Sequence, residues 1–190
     1  MGGTSVAAAS TVTYTGPSGG AWETASNWSG GVVPTSTDDV VIDTGVVVGI
    51  NRGTTVNSLT LGVSAGGVTS TLDFNYDASS SPLTTIGNLV LYGSSTITQT
   101  AGSTSTVLSR INLDVGGSAV ISGSINANYD GYQYGNGPGA GTAYIGASYG
   151  GIGGGNTATS TYGSLQTPTD LGSGAIDGNN GCNGDPDRII

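Results

Sequence analysis

The side chains able to do chemistry in this sequence are almost all carboxylates. Glu23 and eleven aspartates stand against three cations, Arg52, Arg110 and Arg188, for a formal net charge of −9. Histidine and lysine are absent. Without histidine, Ser-His-Asp and Cys-His nucleophilic sites are excluded, as are His-ligated zinc sites. Without lysine there is no phosphate loop, so the many Gly-x-Gly spacings are not nucleotide fingerprints. Two uses of carboxylates remain. A pair about 5 to 10 Å apart hydrolyses glycosidic bonds, and Asp73 and Asp114, each at a strand-like run, are the pair that neighbouring coils would bring together. Aspartates at such places also satisfy turn amides, which is their default role, so no enzyme is expected. Calcium asks for six to eight oxygens, often from Asp, Asn and carbonyls. Asp177, Asn179, Asn183, Asp185 and Asp187 alternate oxygen donors with glycine in DGNNGCNGDPD. That loop is the calcium candidate, weighed against a polar turn. It lacks the closing glutamate of an EF-hand. Asp38-Asp39 with Asp43 is a weaker cluster. No cofactor is required by any of these readings.

The same charge count sets the partners. Three arginines cannot neutralise a run of phosphates, so nucleic acid is excluded as an expectation. An anionic membrane surface is disfavoured for the same reason. No apolar run approaches the roughly 20 residues of a membrane span. Cys182 is the only cysteine, leaving no internal disulfide and no thiolate cluster. Aromatic residues offer a different chemistry. Trp22, Trp28, Tyr132, Tyr134, Tyr144 and Tyr149 would form a platform for sugar rings if exposed. For the two tryptophans the competing role is to cover the first coil of the fold. Threonines spaced T-x-T, at Thr96 and Thr98, Thr104 and Thr106, and Thr157, Thr159 and Thr161, are the pattern of an ice- or surface-binding face. Outward strand positions give the same pattern.

These residues need elements to hold them. Glycine makes up 36 of 190 residues and charged residues only 8%, with 35% hydrophobic. That is not the composition of a charge-swollen disordered chain. No window carries apolar residues at 3.6-residue spacing, and β-branched residues are everywhere, so short strands are expected. The runs repeat as strand, glycine turn, strand. Val40 to Ile42 is followed by Gly45 and Val46 to Val48. Leu59 to Leu61 precedes Gly66-Gly67 and Thr71 to Phe74. Leu89 to Leu91 precedes Gly93 and Ser95 to Thr98. Ile111 to Val115 precedes Gly116-Gly117 and Ala119 to Ser122. Such self-similarity predicts a solenoid, with a β-sandwich as the alternative. Period-two alternation places Leu59 and Leu61, Leu89 and Leu91, and Ile111 and Leu113 in one inward ladder. Thr60, Val90 and Asn112 face outward.

The segment YTGPSGGAWETASNWSGGVVPTSTDDVVID runs from Tyr14 to Asp43. Its Trp22, Asn27-Trp28, Gly30-Gly31, Pro34 and Asp39 resemble the start of β-solenoid segments in large bacterial extracellular and surface proteins, autotransporter-like adhesins among them. LDVGGSAVISGSINAN, from Leu113 to Asn128, is similar to the strand units of that group. Gly135 to Gly141, Gly146 to Gly154, Tyr162-Gly163-Ser164 and Gly172-Ser173-Gly174 are similar to its glycine-rich loops. The resemblance spans about residues 12 to 176. It implies an all-β, right-handed parallel β-helix in an extracellular or cell-surface protein. It implies no activity, because that group shares a shape rather than a reaction.

The expected organisation follows. Residues 1–12 read as disordered, or as a leader remnant or an added start, 13–39 as an N-terminal cap, and 40–128 as solenoid coils. Residues 129–176 form a Gly/Tyr-rich loop region. Residues 177–190 form the Asp/Asn/Gly loop and a terminal strand, Arg188-Ile189-Ile190. The glycine-rich stretch is read as an ordered excursion pinned by tyrosines, since a flexible linker would lack such anchors. The functional expectation is a non-catalytic structural or adhesive module that self-associates or meets other surface-protein segments. A carbohydrate-binding or polysaccharide-degrading β-helix is the first alternative, and an ice- or surface-binding solenoid the second.

Overall fold

The structure, a computed structural model, describes residues 9–76, 81–85, 87–100, 109–128, 130–132, 135–141, 145–154, 161–166 and 172–175. Thirteen short strands lie among them. They are β1 Ser10–Thr13, β2 Gly20–Ala21, β3 Asp38–Ile42, β4 Val47–Ile50, β5 Thr54–Val56, β6 Ser58–Leu61 and β7 Thr71–Phe74. Then come β8 Leu83–Thr85, β9 Leu89–Leu91, β10 Thr96–Gln99, β11 Leu113–Val115, β12 Ala119–Ile121 and β13 Ser124–Asn126. A single 3-10 turn, Ala25–Asn27, is the sole helical element described. Among the described residues no helix is long and apolar enough to cross a membrane.

The strands form three parallel sheets, in the orders β1-β3-β6-β9-β12, β2-β4-β7-β10-β13 and β5-β8-β11. The first two sheets take one strand from each successive coil and the third one strand from each of three coils, so the chain winds as a parallel β-solenoid of about four turns. The core is built from ladders of inward residues. Val12, Val40, Leu59, Leu89 and Ala119 lie in register, as do Ile42, Leu61, Leu91 and Ile121. On the second sheet Val48 meets Leu72, Ile50 meets Phe74, and Ile97 meets Ile125. The third adds Val56, Thr85 and Val115 in one row. Alternation drives this arrangement. In SLTL, TLDF, LTT and LVL every second residue is buried. A one-residue slip would turn the whole buried set outward.

Two expectations are corrected. Among the described residues the stack begins at Ser10, not at Val40, because β1 pairs with β3 and β2 with β4. Four residues of STVT and two of GA are too short to stand out as strands. Ile111 and Leu113 also belong elsewhere than expected. β11 pairs with β8 in the third sheet, and the rung above Leu89 to Leu91 is Ala119 to Ile121. The repeated strand–glycine–strand pattern hid a third strand per coil.

By chain contacts the protein divides into two units, residues 1–98 with 111–126, and 99–110 with 127–190. The second holds the glycine-rich segment, and its described part is tied by long-range backbone bonds. Gly174 N–H donates to Asn136 O (2.9 Å), Ser148 N–H to Gly139 O (2.8 Å) and Gly146 N–H to Gly154 O (2.7 Å). Tyr149 and Tyr162 meet edge-to-face, centroids 5.0 Å apart. The Ser173 hydroxyl donates to the Tyr162 phenol (2.8 Å) and accepts from Gly139 N–H (2.9 Å). The glycines here make room for rings. A Cβ on Gly163, whose φ is +69°, would stand 2.5 Å from the Tyr149 ring.

Candidate functional site

Three places in the described structure bear on function: the aromatic cluster at the first coil, the acidic pair at the start of β3, and the last rung. The aromatic cluster is a built cap. After β2 the chain returns across the first rung, and Trp28 forms an antiparallel bridge with Tyr14. Ser29 N–H donates to Thr13 O (2.8 Å), Thr13 N–H to Ser29 Oγ (2.9 Å) and Thr15 N–H to Asn27 O (2.8 Å). Tyr14 and Trp28 pack edge-to-face at 5.1 Å, and Trp22 and Trp28 at 4.7 Å. Trp28 Nε1 donates to Trp22 O (2.6 Å), and the Tyr14 hydroxyl to Pro17 O (3.0 Å). Burial holds the Tyr14 phenol above its usual pKa. A Cβ on Gly20 would stand 2.3 Å from that hydroxyl, so the loop needs glycine there.

Trp22 and Trp28 are 1% and 2% exposed. Neither ring has a face for a sugar, so the platform reading does not hold for these two. Asn27 heads an Asn-Trp-Ser acceptor sequence but is buried, its side-chain amide donating to Ala21 O (2.9 Å). Tyr14 is the member that sequence reasoning missed. Its signal was the same Gly-rich, Trp-containing segment, read from Trp22 onward. Tyr132 and Tyr149 are half-buried in the glycine-rich unit. Tyr134 and Tyr144 lie outside the described residues, as do Asp177, Asn179, Asn183, Asp185 and Asp187 of the calcium candidate.

The acidic pair is met by neutral donors. Asp38 accepts from the Ser10 hydroxyl and, at 2.8 Å each, from the Thr35 amide and hydroxyl. Asp39 Oδ1 accepts from Asn57 Nδ2 (2.7 Å) and Ser58 Oγ (2.5 Å). Among the described residues no three Asp, Glu, Cys or His side chains gather to hold a metal ion, so Asp38, Asp39 and Asp43 do not form the second calcium cluster expected. Asp73 and Asp114 sit on different sheets, in β7 and β11, and so leave the stack from different faces. Glu23 accepts from Asn51 N (2.8 Å) and Nδ2 (2.9 Å). Its charge and, more strongly, burial push the Tyr76 phenol up to about 12. Of the threonine rows, the Thr96 hydroxyl pairs with that of Ser124 (3.0 Å) and Thr98 donates to Asn126 O (2.9 Å). Thr104, Thr106, Thr157 and Thr159 lie outside the described residues.

The last rung is unlike all those below it. Every residue of β12 and β13 is exposed. Ile121 and Ile125 are 48% and 45% exposed, although Leu91 and Ile97, one rung down in the same ladders, are at 0%. No protein-family model, curated protein or solved structure matches the chain.

Proposed function

We propose that this chain is a non-catalytic β-solenoid segment of a secreted or cell-surface protein, structural or adhesive in role. The observation that carries the reading is the pair of inward ladders that run through five rungs and finish on exposed isoleucines. Parallel coils sharing one core make a stiff element, because each rung is fixed by its neighbours. Exposed inward residues with free strand edges are places where another strand adds. The partner at that rung is a further parallel coil, from a second copy or another surface-protein segment. The likeness of the Trp22 to Asp39 segment to autotransporter-like adhesins supports the extracellular setting. An adhesive role would fall to the glycine-rich unit, where Tyr132 and Tyr149 keep part of their surface in solvent.

Sedimentation across a concentration series tests the assembly. The chain is expected to self-associate, and the double variant Ile121→Asp, Ile125→Asp to stay monomeric. Identical sedimentation of both would remove the interface. Efficient turnover of a polysaccharide would remove the non-catalytic reading, and a glycan array tests adhesion. The reading needs no cofactor, so far-UV circular dichroism is expected to be the same with and without EDTA.

A further inference from the structure

We propose that Asp38 is an acid-sensitive clasp, which fastens the first rung to the stack at neutral pH and releases it when its carboxylate takes up a proton, while Asp39 anchors β3 to the rung above. The two adjacent side chains reach in opposite directions along the stack. Asp38 is the register partner of Ser10 in β1 and accepts its hydroxyl. Asp39 is the register partner of Ser58 in β6 and accepts that hydroxyl together with the Asn57 amide. One dipeptide in β3 therefore ties three successive rungs. Asp38 also closes the turn that leads into β3, through the Thr35 amide and hydroxyl.

The titratable groups around the clasp are few. β1, the Thr35 to Thr37 turn and β6 carry none, and Asp43 lies just beyond the other end of β3. Those elements also hold no cation. The negative charge is met by O–H and N–H donors alone, and such charge-assisted bonds are roughly twice as strong as neutral ones. Protonation turns them into neutral bonds. It also sets a proton on a carboxyl that faces Thr35 N–H, a group that only donates.

The direction of the pH effect follows. Ser10's hydroxyl, then Thr35's amide and hydroxyl, hold the Asp38 carboxyl below its ordinary range. The stabilisation is complete above the unfolded value near pH 4 and vanishes as pH falls through the lower folded value. Among the described residues β1 is the end strand of its sheet, with β3 on one side and the return segment at Ser29 on the other, so its loosening can be read apart from that of β6.

Amide hydrogen exchange, corrected for intrinsic rates, tests this from pH 7 to pH 3. Protection of Val12 and Tyr14 is expected to fall about tenfold for each pKa unit of depression, while Leu59 to Leu61 keep theirs. Asp38→Asn should show low β1 protection already at pH 7, without that further fall. Ser10→Ala keeps the charge and should move the midpoint upward. The clasp is overturned if β1 and β6 lose protection together, if Asp38→Asn keeps the wild-type pH dependence, or if Ser10→Ala leaves the midpoint in place.

Discussion

The two ends of the coil stack treat the same ladder in opposite ways. At the first rung Val12 is buried, and Tyr14, Trp22 and Trp28 are folded in beside it. At the last rung Ile121 and Ile125 occupy equivalent inward positions and lie about half in water. Solenoids need terminal caps for solubility. A cap costs sequence, here the whole passage from Tyr14 to Pro34. The first end has that passage, and it closes with a return strand and three rings. The last rung shows no equivalent among the described residues. The difference gives the stack a direction, from a closed first rung to an exposed last one.

Substitutions can break or sharpen that contrast. Trp28→Ala should be the most costly, about 3–5 kcal/mol by urea unfolding, because it empties the centre of the cap. Leu91→Ala, fully buried one rung below the end, should lose about 2–5 kcal/mol. Tyr14→Phe removes the bond to Pro17 O and should cost about 1 kcal/mol. Ile121→Ala sits on the same ladder as Leu91 yet should cost about 1 kcal/mol or less, since half of its surface never leaves water. Equal losses at Leu91 and Ile121 would mean that the last rung is as closed as the rungs below. Val120→Thr points outward and should stay within about 0.5 kcal/mol.

The inner architecture was legible where period two was strict. Leu59, Leu61, Leu89 and Leu91 are the expected core, because alternation in a strand leaves no other face for them. Legibility failed where local signal was short. Ser10 to Thr13 gains its strand from pairing with β3, and nothing in STVT announces a partner 28 residues on. Ile111 and Leu113 were set in the wrong sheet because every corner of the coil is written in the same glycine-rich turns. The tryptophans were legible as a cap by position, but burial decides between cap and platform, and burial depends on the return of residues 27–29 over β1. Gly139 and Gly163 were legible as members of ordered glycine-rich loops, but not what they pack against. Their reason, room for Tyr162 and Tyr149, exists only once the chain has folded back on itself.

The coils differ in length while the ladders do not. Ser10 pairs with Asp38, Val40 with Leu59 and Leu59 with Leu89, so successive turns take 28, 19 and 30 residues. Nineteen residues suffice for a complete circuit, and the remainder is extruded at corners such as Val63 to Thr69. Those corners are the tolerant addresses of the chain. A foreign peptide grafted there would be displayed at a fixed height along the stack, leaving every rung in place.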